Sequence, residues 1–452
     1  MRAAVAAGHH ATVEAGVELL EEGGTAADAA VGACLASCVA ETVMTGLLGG
    51  GHAIHWDGRE ARNLDCFVAV PSGDGADFVE LHVPFGEELV HYAIGPGTCA
   101  VPGLPAGLDA LWRRHGRLPW PRLVEPALRL ARSGVVMPPA QASCLAMLAP
   151  VFTLRADGAR IYAPGGTLLE AGDRLHQPGL VTALEALADE GAAACYSGSI
   201  AQALIGVDGC GVTGDDLAAY EPVWSEPVEV GYAETRFHTR GGLSDVPDTL
   251  RRLPRLAALS PTDRTLALLA ALEPPTPDGH TTNVAVVDGE GRACVLTTSL
   301  GLGTGDFLPG LDLQLNSMLG EGELLRVPLE TGARMESMMA PSLAFDGDGL
   351  ALAIGAAGGT RLRTALVGVA AAILDEGLEP ADAVARPRCH PVGTLAHAEP
   401  GVDEEALARL EATGWSVRRW AAPHHYFGGV SAVARTGAAG DPRRSGHAAS
   451  LR

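Results

Sequence analysis

The chain has 452 residues and 47% hydrophobic content, enough to bury a large core as one big domain or two closely joined ones. A formal charge of −22 excludes a surface built for nucleic acid or anionic membranes, which needs clustered cations. All 32 basic residues are arginines, so any mechanism that requires a catalytic lysine is excluded too.

The opening segment, Met1 to Gly16, carries one Arg and a short apolar run broken by His9 and His10, too short and polar for a signal peptide. No stretch approaches the roughly 18 uninterrupted apolar residues of a membrane span. The expected location is cytoplasmic, with a small-molecule substrate and no membrane or nucleic-acid partner. The nine cysteines are scattered. Only Cys34 and Cys38 lie close in sequence, and no Cys or His spacing matches a zinc site, so no metal or other cofactor is expected.

Thr12 to Glu22 has helical periodicity and stops at Gly23-Gly24. Thr25 and Asp28 can cap an Ala-rich helix running to about Ala40. Gly46 to Gly51 forms a Gly-rich turn without the pattern of a phosphate loop. Strands and loops follow to about Val101. Pro105 to Ser133 reads as mostly helical, with Pro119 and Pro126 marking helix starts, and Gln177 to Ile205 as further helices. After Val228 the pattern is irregular, and Leu256 to Leu272 looks helical. The segment Glu273 to His280 is rich in Pro and Asp-Gly, so it predicts an exposed loop. The run Thr281 to Asp288 is β-rich, Gly289-Glu290-Gly291 turns, and Ala293 to Ser299 returns as a second strand. A mixed region ends in a helix over 404–413 and a last strand around 430–434.

A Thr hydroxyl becomes a useful nucleophile when a base sits on it, and a free amine on the same residue can be that base. That arrangement requires a cut just before the Thr. A Thr that opens a strand directly after a Pro- and Gly-containing loop, as Thr281 does after His280, suits both self-cleavage and later catalysis.

From about Ala4 to Ala434 the chain resembles the γ-glutamyltranspeptidases. The resemblance rests on four stretches: Ala11 to Val31, the turn Gly46 to His52, Val101-Pro102-Gly103 with Gly116 to Trp120 and Glu125-Pro126-Ala127, and Thr281 to Asp288. It implies an α/β fold, the four-layer αββα sandwich of the N-terminal-nucleophile (Ntn) hydrolases. It implies cleavage between His280 and Thr281 into residues 1–280 and 281–452, which stay associated as one compact unit. Matched position by position, Thr281 is the nucleophile and Ser299 a hydroxyl near its amine. Gly358 and Gly359 supply oxyanion-binding N–H groups, and Ser337 is the first of a Ser-Ser pair, with Met338 in the second place.

The departures concern the substrate. Where family members acting on glutathione have Asp-Phe-Arg, with the Arg gripping a carboxylate, this chain has Asp65-Cys66-Phe67. Arg59 and Arg62 are near in sequence. Asn316 to Glu321 replaces an Asn-Gln-Met-Asp-Asp region, with Glu321 displaced by one residue, and Thr239-Arg240-Gly241-Gly242 replaces a Ser-Gly-Gly turn. Asn316, Glu321, Ser337 and Phe67 are the expected substrate contacts. A retained nucleophile with an altered clamp resembles the actinobacterial branch of 4-alkylproline antibiotic assembly, and implies hydrolysis of a C–C bond ahead of a γ-glutamyl or other amide bond. A binding protein without turnover is the remaining alternative.

Overall fold

Runs rich in Val, Ala and Thr form two stacked antiparallel sheets in the computed structural model, which describes residues 1–85, 88–273, 281–325 and 329–451. The first sheet has seven strands, ordered His447–Ser450, Ala4–Ala7, Thr282–Val287, Ala293–Ser299, Gly50–Trp56, Ala61–Cys66 and Val223–Ser225. The second has six, ordered Gly437–Gly440, Gly429–Ala434, Gly349–Ala357, Ser342–Asp346, Thr235–Thr239 and Val228–Tyr232. Strand Thr282–Val287 packs across the interface on Gly349–Ala357 and Gly429–Ala434. Ile54, Ala285 and Val295 meet Leu343, Ala353 and Val433 there, all essentially without solvent exposure.

Every residue of the central strands Thr282–Val287 and Ala293–Ser299 is buried. Strands covered on both faces read as apolar runs, as residues 284–287 and 293–296 do. Asp288 closes the hairpin between them by accepting the Glu290 and Arg292 amides through Oδ1, and its Oδ2 accepts the amide of Ala26. The turn is thereby tied to the start of helix Ala26–Ala40.

That helix lies on the two central strands with all of its residues buried, as its small side chains require. Thr25 and Asp28 form the expected capping box. On the opposite face, helix Arg361–Leu374 packs on Gly349–Ala357 and Gly429–Ala434. The order helix, sheet, sheet, helix is the αββα sandwich of the Ntn hydrolases. Among the described residues no helix is long and apolar enough to cross a membrane.

Several local expectations need correction. Pro119 does precede a helix start, but Pro126 lies inside helix Trp120–Ser133. It is buried there, and a single proline removes only one backbone donor, so packing of the apolar face outweighs the break. The stretch after Val228 forms the edge hairpin Val228–Tyr232 and Thr235–Thr239, whose turn at Ala233 and Glu234 uses positive φ without glycine and so gives no composition signal. The helix expected over 256–272 begins at Pro261, capped by Ser260. The strand Gly429–Ala434 is not the last, because Gly437–Gly440 and His447–Ser450 follow it. The expected loop 273–280 falls almost wholly outside the described residues.

Candidate active site

Thr281 stands one residue before the central hairpin. The ladder pairs Thr282 with Thr298, so one further step sets Thr281 opposite Ser299, which in turn pairs with Gly50 on the next strand. Ser299 Oγ accepts the Gly301 amide at 3.0 Å. Thr281 is 4% exposed and lies between two small cavities, one in front and one behind. His280, on the other side of the expected cut, lies outside the described residues.

The strand Gly349–Ala357 runs into helix Arg361–Leu374 through Gly358 and Gly359, with φ of 122° and 58°. Both angles lie in the left-handed range that favours glycine. A Cβ on Gly358 would meet the Cα of Gly428 at 2.8 Å and Nη2 of Arg444 at 2.9 Å, so the close approach requires glycine. The two carbonyls accept the amides of Arg361 and Leu362. The glycines therefore open a helix, where backbone N–H groups and the helix dipole favour an anion. Gly359 lines the front cavity together with Thr281 and Ser299.

The rest of the front cavity is mostly apolar. Phe67, Met338, Met339 and Leu362 line it, with Met318 and Leu324 alongside. Ser337 adds a hydroxyl, which accepts the Met339 amide at 3.2 Å, and Glu321 is the one charged residue among the described lining side chains. Ser337 and Glu321 are each 2% exposed. Phe67 therefore presents a ring where the resemblance has a guanidinium. Arg62 turns instead to Glu60 and Glu226 at the sheet edge, and neither it nor Arg59 lines the cavity.

Asn316 is a correction. It does not line the cavity. Its Nδ2 donates to the carbonyls of Leu48 (2.9 Å) and Ala100 (2.8 Å), and its Oδ1 accepts the Ala100 and Met318 amides. With its hydrogen-bonding groups satisfied inside the protein, it fastens the loop that carries Met318 and Glu321.

Three nearby residues carried no sequence signal of their own. Arg240 Nη1 donates to the carbonyls of Ser337 (2.9 Å) and Met339 (3.3 Å), bracing the cavity wall from behind. It belongs to the Thr239 to Gly242 stretch that departs from the expected turn, which is the one hint available. Glu41 and Arg444 line the rear cavity with Thr281. Burial raises the Glu41 carboxyl to about 7, against hydrogen bonds from Thr282 and Thr12 that pull it down. Beneath Phe67, at a ring distance of 5.6 Å, His52 is held neutral by burial far below its ordinary range.

The family model described as gamma-glutamyltranspeptidase matches residues 12–247 and 255–451. The acylase ACY 1 proenzyme of Pseudomonas sp. (strain V22) is 26% identical over 96% of this chain and 90% of its own. Two solved structures cover the whole of this chain. Cephalosporin acylase from Bacillus halodurans does so with TM-score 0.85, 21% identity and 96% of its own length. LmbA2991, as its T421A form, does so with TM-score 0.83, 20% identity and 98%. At those identities they establish the shared fold. The alignments with the glutathione hydrolases of Schizosaccharomyces pombe and Arabidopsis thaliana, 30% and 31% identical over 50% and 46% of this chain, span only 36% and 32% of those proteins.

Proposed function

Because this chain belongs to the gamma-glutamyltranspeptidase family, we propose that it is a self-cleaving N-terminal-threonine hydrolase whose acyl substrate is not γ-glutamyl. The cut falls between His280 and Thr281. The observation that carries this reading is the front cavity, which joins Thr281, Ser299 and Gly359 to an apolar wall and has no cation among its described lining residues.

In maturation, Thr281 Oγ attacks the preceding carbonyl, the acyl group moves from nitrogen to oxygen, and water hydrolyses the ester. The freed amine then takes the Oγ proton as Oγ attacks the substrate carbonyl. The N–H groups of Gly358 and Gly359 hold the oxyanion, a contribution of about 3–4 kcal/mol per donor in comparable sites. The intermediate collapses to an acyl-enzyme, the leaving group takes the proton, and water releases the acid. No metal or other cofactor enters this sequence. Residues 1–280 and 281–452 both contribute strands to each sheet, which supports their staying together after the cut.

The bond we put first is a C–C bond in a small amino-acid-derived intermediate of 4-alkylproline antibiotic assembly. The leaving group is then an enolate or enamine. The lost carboxylate clamp supports it, since a site that has exchanged an Arg for Phe67 discriminates against a substrate that needs the pairing. An amide bond is the second reading, favoured by the near full-length alignment with an acylase proenzyme.

The test offers the cleaved protein three substrates: γ-glutamyl anilide, a neutral aliphatic acyl anilide and a dienoic amino acid bearing a C–C-linked acyl group. Release of a small dicarboxylate from the third supports the first reading. Turnover of the aliphatic anilide alone supports the second. Preferred turnover of γ-glutamyl anilide would overturn both.

A further inference from the structure

The cavity behind Thr281 contains an arrangement that the acyl-transfer chemistry itself does not use. Glu41 caps the buried helix Ala26–Ala40 and is 2% exposed. Its carboxylate accepts hydrogen bonds from the hydroxyl of Thr12, at 2.8 Å, and from that of Thr282, the residue after the nucleophile. A Cβ on Gly8 would fall 2.3 Å from Glu41 Oε2, so the absence of a side chain at position 8 is what admits the carboxylate. From the other side, Arg444 Nη1 donates to the main-chain carbonyl of Thr281 at 3.3 Å, and Nη2 to that of His425 at 3.4 Å. The same guanidinium walls Gly358.

Thus two buried, oppositely charged groups grip consecutive residues of the chain at the point where it must be cut. Glu41 takes the side chain of Thr282, Arg444 takes the backbone of Thr281, and their charges face each other. A carboxylate buried this deeply is costly unless it does something the fold needs, because removing it from water disfavours the ion. Its partners are few: two hydroxyls and the field of Arg444. We propose that Glu41 and Arg444 form a positioning clamp that fixes the main chain at residues 281–282, aligning Thr281 Oγ for self-cleavage and later for substrate attack. This rests on Thr281 being the nucleophile. Both line the rear cavity and not the front one, so both act through the placement of Thr281.

The clamp is strongest when Glu41 is ionised, because the carboxylate then accepts both hydroxyls and faces the Arg444 cation. Burial brings that ionisation to about pH 7. Asp441 also lines this cavity and is engaged by Arg388 and Arg443, while Cys144, whose thiol burial raises to about 11, lies outside the cavity and faces Arg444. The Cys144 thiol therefore stays uncharged near neutrality.

The test follows self-cleavage of freshly translated chain in a cell-free system, sampled on denaturing gels from about pH 6 to about pH 9. The uncut precursor has no amine at Thr281, so a limb near neutrality cannot come from that group. For the wild type, the cleavage rate rises with pH through about 7. Glu41→Gln loses that limb and at pH 8 cleaves slower by roughly tenfold to a hundredfold, the scale of a small misplacement of reacting groups. Thr282→Val, which removes the hydroxyl and keeps the shape, loses the same limb, and the double variant is no slower than either single one.

Folding is read separately in the uncleavable Thr281→Ala background, where Glu41→Gln retains the cooperative melting transition. Loss of that transition would assign the effect to folding and overturn the positioning role. If the wild type cleaves and both variants match its rate and pH limb, the clamp is overturned while the nucleophile stands. An uncut wild type would overturn the nucleophile and the clamp with it.

Discussion

Nη2 of Arg444 stands 2.9 Å from the point where a Cβ on Gly358 would fall. The guanidinium that reaches the carbonyl of Thr281 therefore also packs against the Gly358-Gly359 turn. Thr281, the Gly358-Gly359 turn and the rear cavity share one wall.

Gly358→Ala tests that wall. With φ at 122° and contacts under 3 Å on two sides, an alanine must distort the turn, at a strain of about 1–3 kcal/mol. The variant is expected to fold with a lowered melting temperature and to lose both self-cleavage and substrate turnover, read by intact mass and by anilide assay. Unchanged cleavage would show that the Gly358 N–H does not hold the oxyanion.

Asn316 and Ser337 should separate. Asn316→Ala takes a donor from the carbonyls of Leu48 and Ala100 and the acceptor from the amides of Ala100 and Met318, at about 1–3 kcal/mol for each buried group left unpaired. Its main readout is therefore a fall in the urea midpoint. Ser337→Ala removes a hydroxyl on the cavity wall, so it should alter KM or kcat with little change in the midpoint.

The cavity wall makes a prediction about charge. Among anilides, neutral aliphatic acyl groups should be turned over at least tenfold better, in kcat/KM, than γ-glutamyl, whose α-carboxylate meets Phe67 in place of a guanidinium. Met338→Ser should narrow that ratio by making the wall more polar.

Stability should depend on pH through buried imidazoles. Burial lowers His9 to about 4, His55 to about 3 and His397 to about 4, and holds His52 and His390 lower than ordinary as well. Below about 6.5 the unfolded chain binds protons that the folded one does not. The stability these residues contribute is thus present above about 6.5 and is lost as pH falls toward about 4, which urea midpoints at several pH values would record. Glu41 has the opposite sign. Its folded value of about 7 lies above the ordinary 4.5, so its contribution is lost as pH rises through about 7. Glu41→Gln should therefore leave the midpoint at pH 8 unchanged or raised while it slows cleavage.

Much of this site was legible in the sequence because its parts are local. Thr281 opening a strand after a Pro-rich loop, the Gly358-Gly359 turn and the Thr25 to Asp28 cap are each set by a few adjacent residues. Phe67, Glu321 and Ser337 do meet at one cavity. Asn316 was placed at the substrate because a polar residue beside a site motif looks the same whether its amide faces a ligand or two carbonyls. Glu41 lies 241 positions from Thr282, and Arg444 lies 163 from Thr281. Only the packing of helix Ala26–Ala40 and the C-terminal turn against the central hairpin brings them together. The hairpin after Val228 escaped detection because its turn lacks the Gly or Asn that ordinarily marks such a bend.

The most direct test of the account is intact mass spectrometry, under denaturing conditions, of the purified protein beside its Thr281→Ala variant. The wild type is expected to separate into two fragments meeting between His280 and Thr281, while the variant keeps the full-length mass. A wild type that remains in one piece after prolonged incubation, or a variant that is still cut at that bond, would contradict it.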